Sequence, residues 1–183
     1  VAEQTEIGSY FVANYPPFSV WKKDNVDLLA KPALEAKPVE GVPLRIYLHI
    51  PFCRKRCHFC YFKVYTDKDS SEIKDYIETA LAQLQFYAKK PFVCGRKANF
   101  VYFGGGTPSY LSEKQLHHLA DGMKRLISWD GAEEVTFECE PGTLSEPKIK
   151  TLKELGVTRL SLGVENFSDA VLEENGRAHL SGE

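Results

Sequence analysis

Three cysteines lie within eight residues of one another, and this crowding constrains the chain more than any other feature. They are Cys53, Cys57 and Cys60, in the spacing C-x3-C-x2-C. Three thiolates this close can hold three irons of a cubane [4Fe–4S] cluster, and because such clusters usually take four cysteine ligands, one iron is left open. An open iron can bind a substrate directly. The run is therefore predicted to be the centre of the chemistry.

A structural zinc site is the alternative interpretation of the same run, with His58 or His49 as a further ligand. Zinc ligands usually come as two separated pairs, so a single run of three cysteines fits zinc poorly. The other two cysteines, Cys94 and Cys139, are isolated, and an odd total is a poor disulfide framework. We therefore favour a cluster and expect a reducing, cytoplasmic location.

Length and charge exclude several classes of protein. The chain has 183 residues, enough for one domain with a sizeable core. Its net charge of −2 gives no basic footprint, so nucleic acid is not an expected partner. No apolar run approaches the roughly 20 residues of a membrane span, so none is expected.

Residues 1–43 differ from the rest of the chain. The stretch 14–21 contains two prolines and three aromatic residues, which excludes a regular helix. Residues 31–43 have the composition of a linker. We expect residues 1–43 to be an irregular lead-in that packs its aromatic side chains on the main domain, which begins at residue 44.

From residue 44 onward, strands and helices alternate. Four segments predict strands: 44–50, 99–103 (stopped by the glycines that follow), 134–138 and 159–164. Three amphipathic segments predict helices at 70–89, 112–127 and 146–155, and a fourth helix starts near Ser168. Asp69 with Glu72, and Ser112 with Gln115, are predicted capping boxes. This alternation with short links predicts βαβ units, a parallel sheet and the α/β class.

The predicted sheet is unfinished, since only about four βα units are present. We interpret the chain as the first part of a longer (β/α) barrel, either a fragment or a truncated product. Chemistry-bearing residues follow every strand: Cys53 to Cys60, then Gly104–Gly106, then Glu138 and Glu140, then Glu165. Because ligands bind at the carboxyl ends of parallel strands, this edge is predicted to form a pocket.

Two of these features have structural alternatives. The bare backbone of Gly104, Gly105 and Gly106 suits either a tight strand exit or the close approach of a ligand. Glu138 ends an apolar strand, where a carboxylate is costly unless it has a partner. It is expected to accept hydrogen bonds from a ligand, with a structural ion pair as the alternative. Glu140 is expected to be structural.

The cysteine run, with aromatic Phe59 before Cys60, resembles the signature of the radical S-adenosylmethionine (SAM) superfamily. Residues 47–53 resemble its oxygen-independent coproporphyrinogen oxidase branch, as do residues 103–109, 138–142 and 159–167, in the same order. The resemblance covers about residues 44–180. It implies a partial radical SAM barrel, with residues 44–183 as the N-terminal part of the core domain.

The resemblance also implies a mechanism. SAM binds the open iron through its amino and carboxylate groups, and an electron from the cluster cleaves its C–S bond. A reductant such as flavodoxin or ferredoxin is implied as the electron source. The 5′-deoxyadenosyl radical then abstracts hydrogen from a small-molecule substrate. In this branch that substrate is a porphyrinogen, whose propionate loses CO2 and one electron to leave a vinyl group.

Roles for individual residues come from the same resemblance. Tyr47 is implied to approach the cluster-bound SAM, and Phe59 to pack by its adenine. Gly104, Gly105 and Gly106 would approach the methionyl group, with a hydroxyl contact from Thr107. For each of these the alternative is ordinary packing or turn formation.

Three charged residues complete the implied SAM site. Glu138 would accept hydrogen bonds from the amino or ribose hydroxyl groups, and Glu165 from the ribose. Arg177 would pair with the SAM carboxylate, although a solvated arginine at a helix end is the alternative.

The chain departs from the branch at two positions. Glu165 stands where a glutamine is usual, and Phe62 stands where some members have another cysteine. Both departures favour sister enzymes that use a second SAM for methyl transfer or cyclopropane formation. A related subfamily of haem chaperones keeps the cluster but delivers haem. That group typically begins almost at the first strand, so the 43-residue lead-in argues against it.

Overall fold

The computed structural model describes residues 22–183, so the predicted aromatic stretch 14–21 lies outside the described residues. Four strands form one parallel sheet in the order β1-β2-β3-β4. They are β1 (Leu44–Ile50), β2 (Ala98–Gly105), β3 (Glu134–Cys139) and β4 (Arg159–Leu162). The predicted α/β class and unclosed partial barrel are confirmed.

The described part of the lead-in is more helical than its composition indicates. It contains α1 (Lys23–Asn25), a π-helical turn (Val26–Ala30) and α2 (Lys31–Glu35). The linker prediction is therefore wrong for 31–35. Pro32 was taken as a linker residue, but a proline is tolerated in the first turn of a helix. An ion pair of 2.6 Å between Glu35 and Lys90 ties α2 to the main domain.

Four further helices follow the strands: α3 (Ser70–Ala88), α4 (Glu113–Leu126), α5 (Glu146–Glu154) and α6 (Asp169–Glu174). Both predicted capping boxes are present, Asp69 with Glu72 and Ser112 with Gln115. The structure thus confirms the predicted alternation of strands and helices.

Three strands end at a different residue from the prediction. β3 runs to Cys139, one residue beyond the predicted end. β2 continues through Gly105 because its glycines still pair with β1, where Ile50 lies opposite Gly105. The predicted end of this strand, at residue 103, is therefore two residues too early. β4 ends at Leu162 instead of residue 164.

The core lies on one face of the sheet, where α3 packs on α4 and α4 on α5. Its buried members include Ile50, Ile77, Val101, Phe103, Leu116, Leu119, Met123, Val135, Phe137 and Leu152. Because side chains alternate along a strand, Tyr47, Tyr102 and Glu138 lie on the opposite face. The sheet therefore has one apolar face and one face that carries polar groups.

Candidate functional site

The cysteine loop, residues 51–65, begins directly after β1, and backbone hydrogen bonds join its last residue to its first three. Pro51 O accepts a hydrogen bond from Tyr65 N at 2.8 Å, and Tyr65 O accepts one from Cys53 N at 3.1 Å. Cys53 is buried, whereas Cys57 and Cys60 are half-buried. The loop therefore presents its first thiol from the protein interior and the other two from nearer the surface.

The glycine segment, Gly104–Gly106, runs alongside the start of the cysteine loop. Gly106 N donates to Ile50 O at 2.7 Å, and Thr107 N donates to Phe52 O at 2.8 Å, so strand-like pairing continues past β1. A Cβ on Gly106 would lie 2.9 Å from Cys53 Sγ and 2.9 Å from Phe52 O. The missing side chain at Gly106 is what allows this approach. The Thr107 hydroxyl donates to Cys53 Sγ at 3.4 Å.

The end of the cysteine loop that lies far from β1, at Cys57 and His58, is held by residues that follow β4. Arg177 Nη1 donates to Cys57 Sγ at 3.2 Å, and its Nη2 donates to Gly163 O at 2.5 Å. His58 docks on the end of α6, since its backbone N donates to Asn175 O at 2.9 Å. The His58 ring nitrogen Nδ1 lies 2.8 Å from Glu174 O.

All three cysteines line one cavity of about 180 Å³. Among the other predicted site residues, those that share it are Phe59, Gly105, Gly106, Thr107, Glu165 and Arg177. The structure therefore brings together most of the residues that the sequence singled out. A group held at this place would meet three thiols, bare glycine backbone, a guanidinium and a carboxylate.

Tyr47, Gly104 and Glu138 lie outside that cavity. Tyr47 and Glu138 line a separate open cleft of about 480 Å³ on the polar face of the sheet, together with Tyr102. Gly104 lies beneath it, where a Cβ would be 2.6 Å from the Tyr102 ring and 3.1 Å from Glu138 Oε2.

Glu138 is partnered within the protein. Its Oε1 accepts from the Tyr102 hydroxyl at 2.6 Å, and its Oε2 accepts from Gly105 N at 3.0 Å. These partners are neutral, so within residues 22–183 Glu138 does not form the structural ion pair that was the alternative. Burial, together with the neighbouring carboxylate, raises the pKa of Tyr102 to about 12. Glu138 thus fastens the glycine segment to β3.

Tyr47 remains 58 % exposed. Its hydroxyl lies 2.9 Å from His49 Nδ1, and its ring centroid is 5.9 Å from that of Tyr102. Burial lowers the pKa of His49 and raises that of Tyr47. The exposed ring edge of Tyr47 is available to a ligand on the polar face.

The zinc alternative finds little support in this geometry. Among residues 22–183, no group of three or more His, Cys, Asp or Glu side chains is placed to hold a single metal ion. Three thiols spread around one cavity fit a larger group that binds each thiol at a different metal atom.

Two buried charged side chains near the site have contacts that the sequence did not indicate. Lys148, on α5, donates to Ser109 O at 2.9 Å and to Leu111 O at 2.6 Å, and burial lowers its pKa. These two hydrogen bonds hold the turn that follows Thr107. A lysine in an amphipathic helix gives no sequence signal of such burial.

The second is Glu140, which is only 6 % exposed. Its carboxylate lies 3.6 Å from the Arg54 Nε atom. The expectation that Glu140 is structural was incomplete, because Glu140 also lines the cysteine cavity.

Glu165 has an unusual backbone. It is the only residue other than glycine in the described part of the chain with a positive φ, at 65°. Left-handed backbone is costly for a side chain with a Cβ, and such strain often lies at functional sites. The twist places Glu165 on the rim shared by the cysteine cavity and a neighbouring cleft that Asn166 and Asn175 help to line.

No helix among the residues described, 22–183, is both long and apolar enough to cross a membrane.

Known proteins are similar to this chain in sequence and in fold. The profile of the Radical SAM superfamily matches residues 47–182. An "Oxygen-independent coproporphyrinogen III oxidase" of Cereibacter sphaeroides is 36 % identical over 137 residues, which is 75 % of this chain and 30 % of that protein. A "Heme chaperone HemW" of Bacillus subtilis is 40 % identical over 134 residues, or 73 % of this chain and 35 % of that protein.

A solved structure gives the same assignment. Coproporphyrinogen III oxidase (HemN) from Escherichia coli, described as a radical SAM enzyme, superposes with a TM-score of 0.76 at 27 % identity. The superposition covers 91 % of this chain and 37 % of that one. This chain therefore spans about a third of the length of the relatives it matches. With its cysteine run, its fold and its profile in agreement, the chain belongs to the radical SAM superfamily, close to the oxygen-independent coproporphyrinogen III oxidases and the HemW proteins.

Proposed function

We propose that this chain is the N-terminal part of a radical SAM enzyme similar to oxygen-independent coproporphyrinogen III oxidase. Residues 44–183 would belong to the core domain, and residues 1–43 would lead into it. The observation that supports this proposal is the cavity in which three thiols meet the glycine segment and Arg177.

Cys53, Cys57 and Cys60 would hold a [4Fe–4S] cluster. When bound there with SAM, the cluster supplies the electron that cleaves SAM to methionine and a 5′-deoxyadenosyl radical. The residues of this chain bind and orient these groups. The three protein ligands of the cluster would be the buried Cys53 and the half-buried Cys57 and Cys60.

SAM would lie against the remaining residues of the cavity. Gly105 and Gly106 line the part of the cavity where the methionyl group would lie, and the Arg177 guanidinium offers a cation to its carboxylate. Glu165, exposed on the rim, can accept from ribose hydroxyls, and the 52 % exposed Phe59 ring offers a flat surface to the adenine. Thr107 adds a hydroxyl on the Cys53 side.

The residues outside the cavity would act from the polar face. Glu138 holds Gly105 through its backbone N–H and keeps further lone pairs for a SAM amino or hydroxyl group. Gly104 leaves room for the Glu138 side chain. Tyr47 would approach SAM from β1.

The substrate would be a small molecule, and a porphyrinogen if the function of the oxidase relatives applies. A reductant such as flavodoxin or ferredoxin would supply the electron. The expected location is cytoplasmic, because an exposed cluster requires a reducing compartment.

The test is chemical analysis followed by turnover under anaerobic conditions. After reconstitution, the protein should contain about four irons and four sulfides per chain, and a variant with all three cysteines replaced by alanine should contain neither. Dithionite and SAM should then yield 5′-deoxyadenosine, in the full-length protein if not in this chain alone. One zinc and no sulfide would refute the proposal.

Haem delivery is the second candidate. It is supported by the HemW relatives, whose identity to this chain is similar to that of the oxidase. Tight stoichiometric haem binding, without SAM cleavage by cluster-loaded protein, would favour this function over oxidation.

A further inference from the structure

His179 is an almost fully buried side chain beside the cysteine cavity, at 2 % exposure. It follows Arg177 by two residues and packs under the end of β4. Its ring nitrogen Nε2 lies 3.1 Å from Val164 O, and its Nδ1 lies 3.4 Å from Arg177 Nη2. It has no part in the proposed binding of the cluster or of SAM, although it contacts Arg177, which donates to Cys57.

The hydrogen-bond partners of His179 indicate which of its two ring nitrogens carries the hydrogen. A carbonyl oxygen only accepts hydrogen bonds, so Nε2 carries the hydrogen that faces Val164. Glu140 Oε1 lies 3.5 Å from Nδ1, yet within the described residues this buried oxygen has no hydrogen-bond partner. Nδ1 is therefore not donating to Glu140. It is a bare acceptor that faces the Arg177 guanidinium.

This acceptor fixes the direction of the guanidinium. Arg177 Nη2 lies between Gly163 O, at 2.5 Å, and His179 Nδ1. A guanidinium is a rigid planar fork, so holding Nη2 at two points also sets the position of Nη1. That atom lies 3.2 Å from Cys57 Sγ.

We propose that His179 is a positioning residue that holds the Arg177 guanidinium on the Cys57 sulfur and so raises the reduction potential of the cluster bound there. The inference rests on the proposed cluster. Hydrogen bonds to cluster sulfurs and nearby positive charge favour the reduced state. A guanidinium free to rotate would spend less time at the sulfur, and reduction would become harder.

The experiment is a redox titration of the SAM-free cluster, followed by electron paramagnetic resonance. His179→Phe keeps a buried ring but removes the acceptor. We expect it to shift the reduction equilibrium about tenfold toward the oxidised cluster, about 59 mV for one electron. His179→Asn restores an acceptor near Nδ1 and should recover at least half of the shift. A merely structural role would lower the melting temperature without this rescue of the potential.

A double variant shows whether His179 acts through Arg177. In an Arg177→Gln background, His179→Phe should cause no further shift. Additive shifts would overturn the proposal, because they would mean that the imidazole acts on the cluster by itself. An unchanged potential in His179→Phe would overturn it as well.

Controls separate this inference from the proposed function. His118→Phe removes a different histidine, which is paired with Glu78 on the surface of α4 and should leave the potential unchanged. If His179→Phe does not fold, His179→Gln, whose amide is displaced from Nδ1, should shift the equilibrium at least about threefold in the same direction. Protein without iron and sulfide refutes both proposals, whereas loaded protein with no shift refutes only this one.

Discussion

The cysteine loop is held in different ways at its first end, Cys53, and at its second end, Cys57 and His58. At the first end, the backbone of the glycine segment pairs with β1 and with Phe52, so Cys53 is fixed by the sheet itself. At the second end, Cys57 is contacted by Arg177, a residue 120 positions later in the chain. His58 adds a second tie to the end of α6.

The difference is one of local stability. The sheet opens only when the core unfolds, whereas a six-residue helix with one fully buried side chain, Leu172, can detach alone. Damage at the first end should therefore affect the whole domain, and damage at the second end should remain local.

Gly106→Ala is expected to have the largest effect, because it acts at the sheet-held end. The new Cβ would lie within 3.0 Å of Cys53 Sγ, Phe52 O and Ile50 O, and overpacking of this kind costs about 1–3 kcal/mol. Urea unfolding should show the loss, and most bound iron and sulfide should disappear. Gly182→Ala, with nothing within 4 Å of its Cβ, is the control. Wild-type iron content in Gly106→Ala would contradict the assignment of a close approach.

Cys139, at the end of β3, reports how firmly the sheet-held side is packed. Burial raises the pKa of its thiol from 9.0 to about 11. The unfolded chain therefore loses this proton first, and the stability that the buried thiol contributes is complete below pH 9 and is lost as pH rises toward 11. The loss is about 2 kcal/mol.

The measurement is the free energy of unfolding of wild type and Cys139→Ala between pH 8 and pH 10.5. The wild type should fall more steeply than Cys139→Ala, and Cys94→Ala, which removes an exposed thiol, should follow the wild type. Equal slopes for wild type and Cys139→Ala would show that water reaches this end of β3.

His58→Ala tests the second end and should have a smaller, local effect. It removes the ring contact to Glu174 O, worth about 1 kcal/mol. Hydrogen exchange should quicken in the cysteine loop and in α6 but not in β1 or β2. Iron and sulfide content should stay unchanged, since His58 is not among the proposed ligands of the cluster. His117→Ala, on the exposed side of α4, is the control, and faster exchange throughout the sheet would contradict the comparison.

Thr107→Val is expected to have the smallest effect. It keeps the buried volume but removes the 3.4 Å hydrogen bond to Cys53 Sγ. Losing one hydrogen bond to a ligand sulfur should lower the potential of the cluster. We expect about a threefold change in the reduction equilibrium, or about 30 mV. Thr151→Val, at another buried threonine, should leave the potential unchanged, and a rise in Thr107→Val would reverse the assigned direction of this bond.

The elements of the fold could be predicted from the sequence because their signals are local. Capping boxes such as Asp69 with Glu72 lie within one turn, and the strands are short apolar runs. The extension of β2 through Gly105 was missed because it depends on pairing with β1, a segment more than fifty residues earlier. The helix at 31–35 was missed because Pro32 suits both a linker and a first helical turn.

For the candidate site, the sequence identified the residues but not their partners. The cysteines and the glycines carry their own spacing signal. Nothing local indicates that Glu138 holds Gly105, that Lys148 is buried beneath Ser109, or that His179 reaches Arg177. The Glu138 and Lys148 contacts join segments more than thirty residues apart, so they exist only after the sheet has formed. His179 is only two residues from Arg177, but the contact also needs the ring to be buried beside Val164.

The backbone of Glu165 has a consequence for how such a chain evolves. At a φ of 65°, a glycine would relieve about 1–2 kcal/mol of strain. Selection for thermal tolerance alone should therefore replace Glu165 with glycine or asparagine, and the protein would gain stability as it lost a carboxylate on the rim of its cavity. Natural proteins often give up stability for activity in this way. A stabilised library screened without an activity assay would show this exchange at position 165.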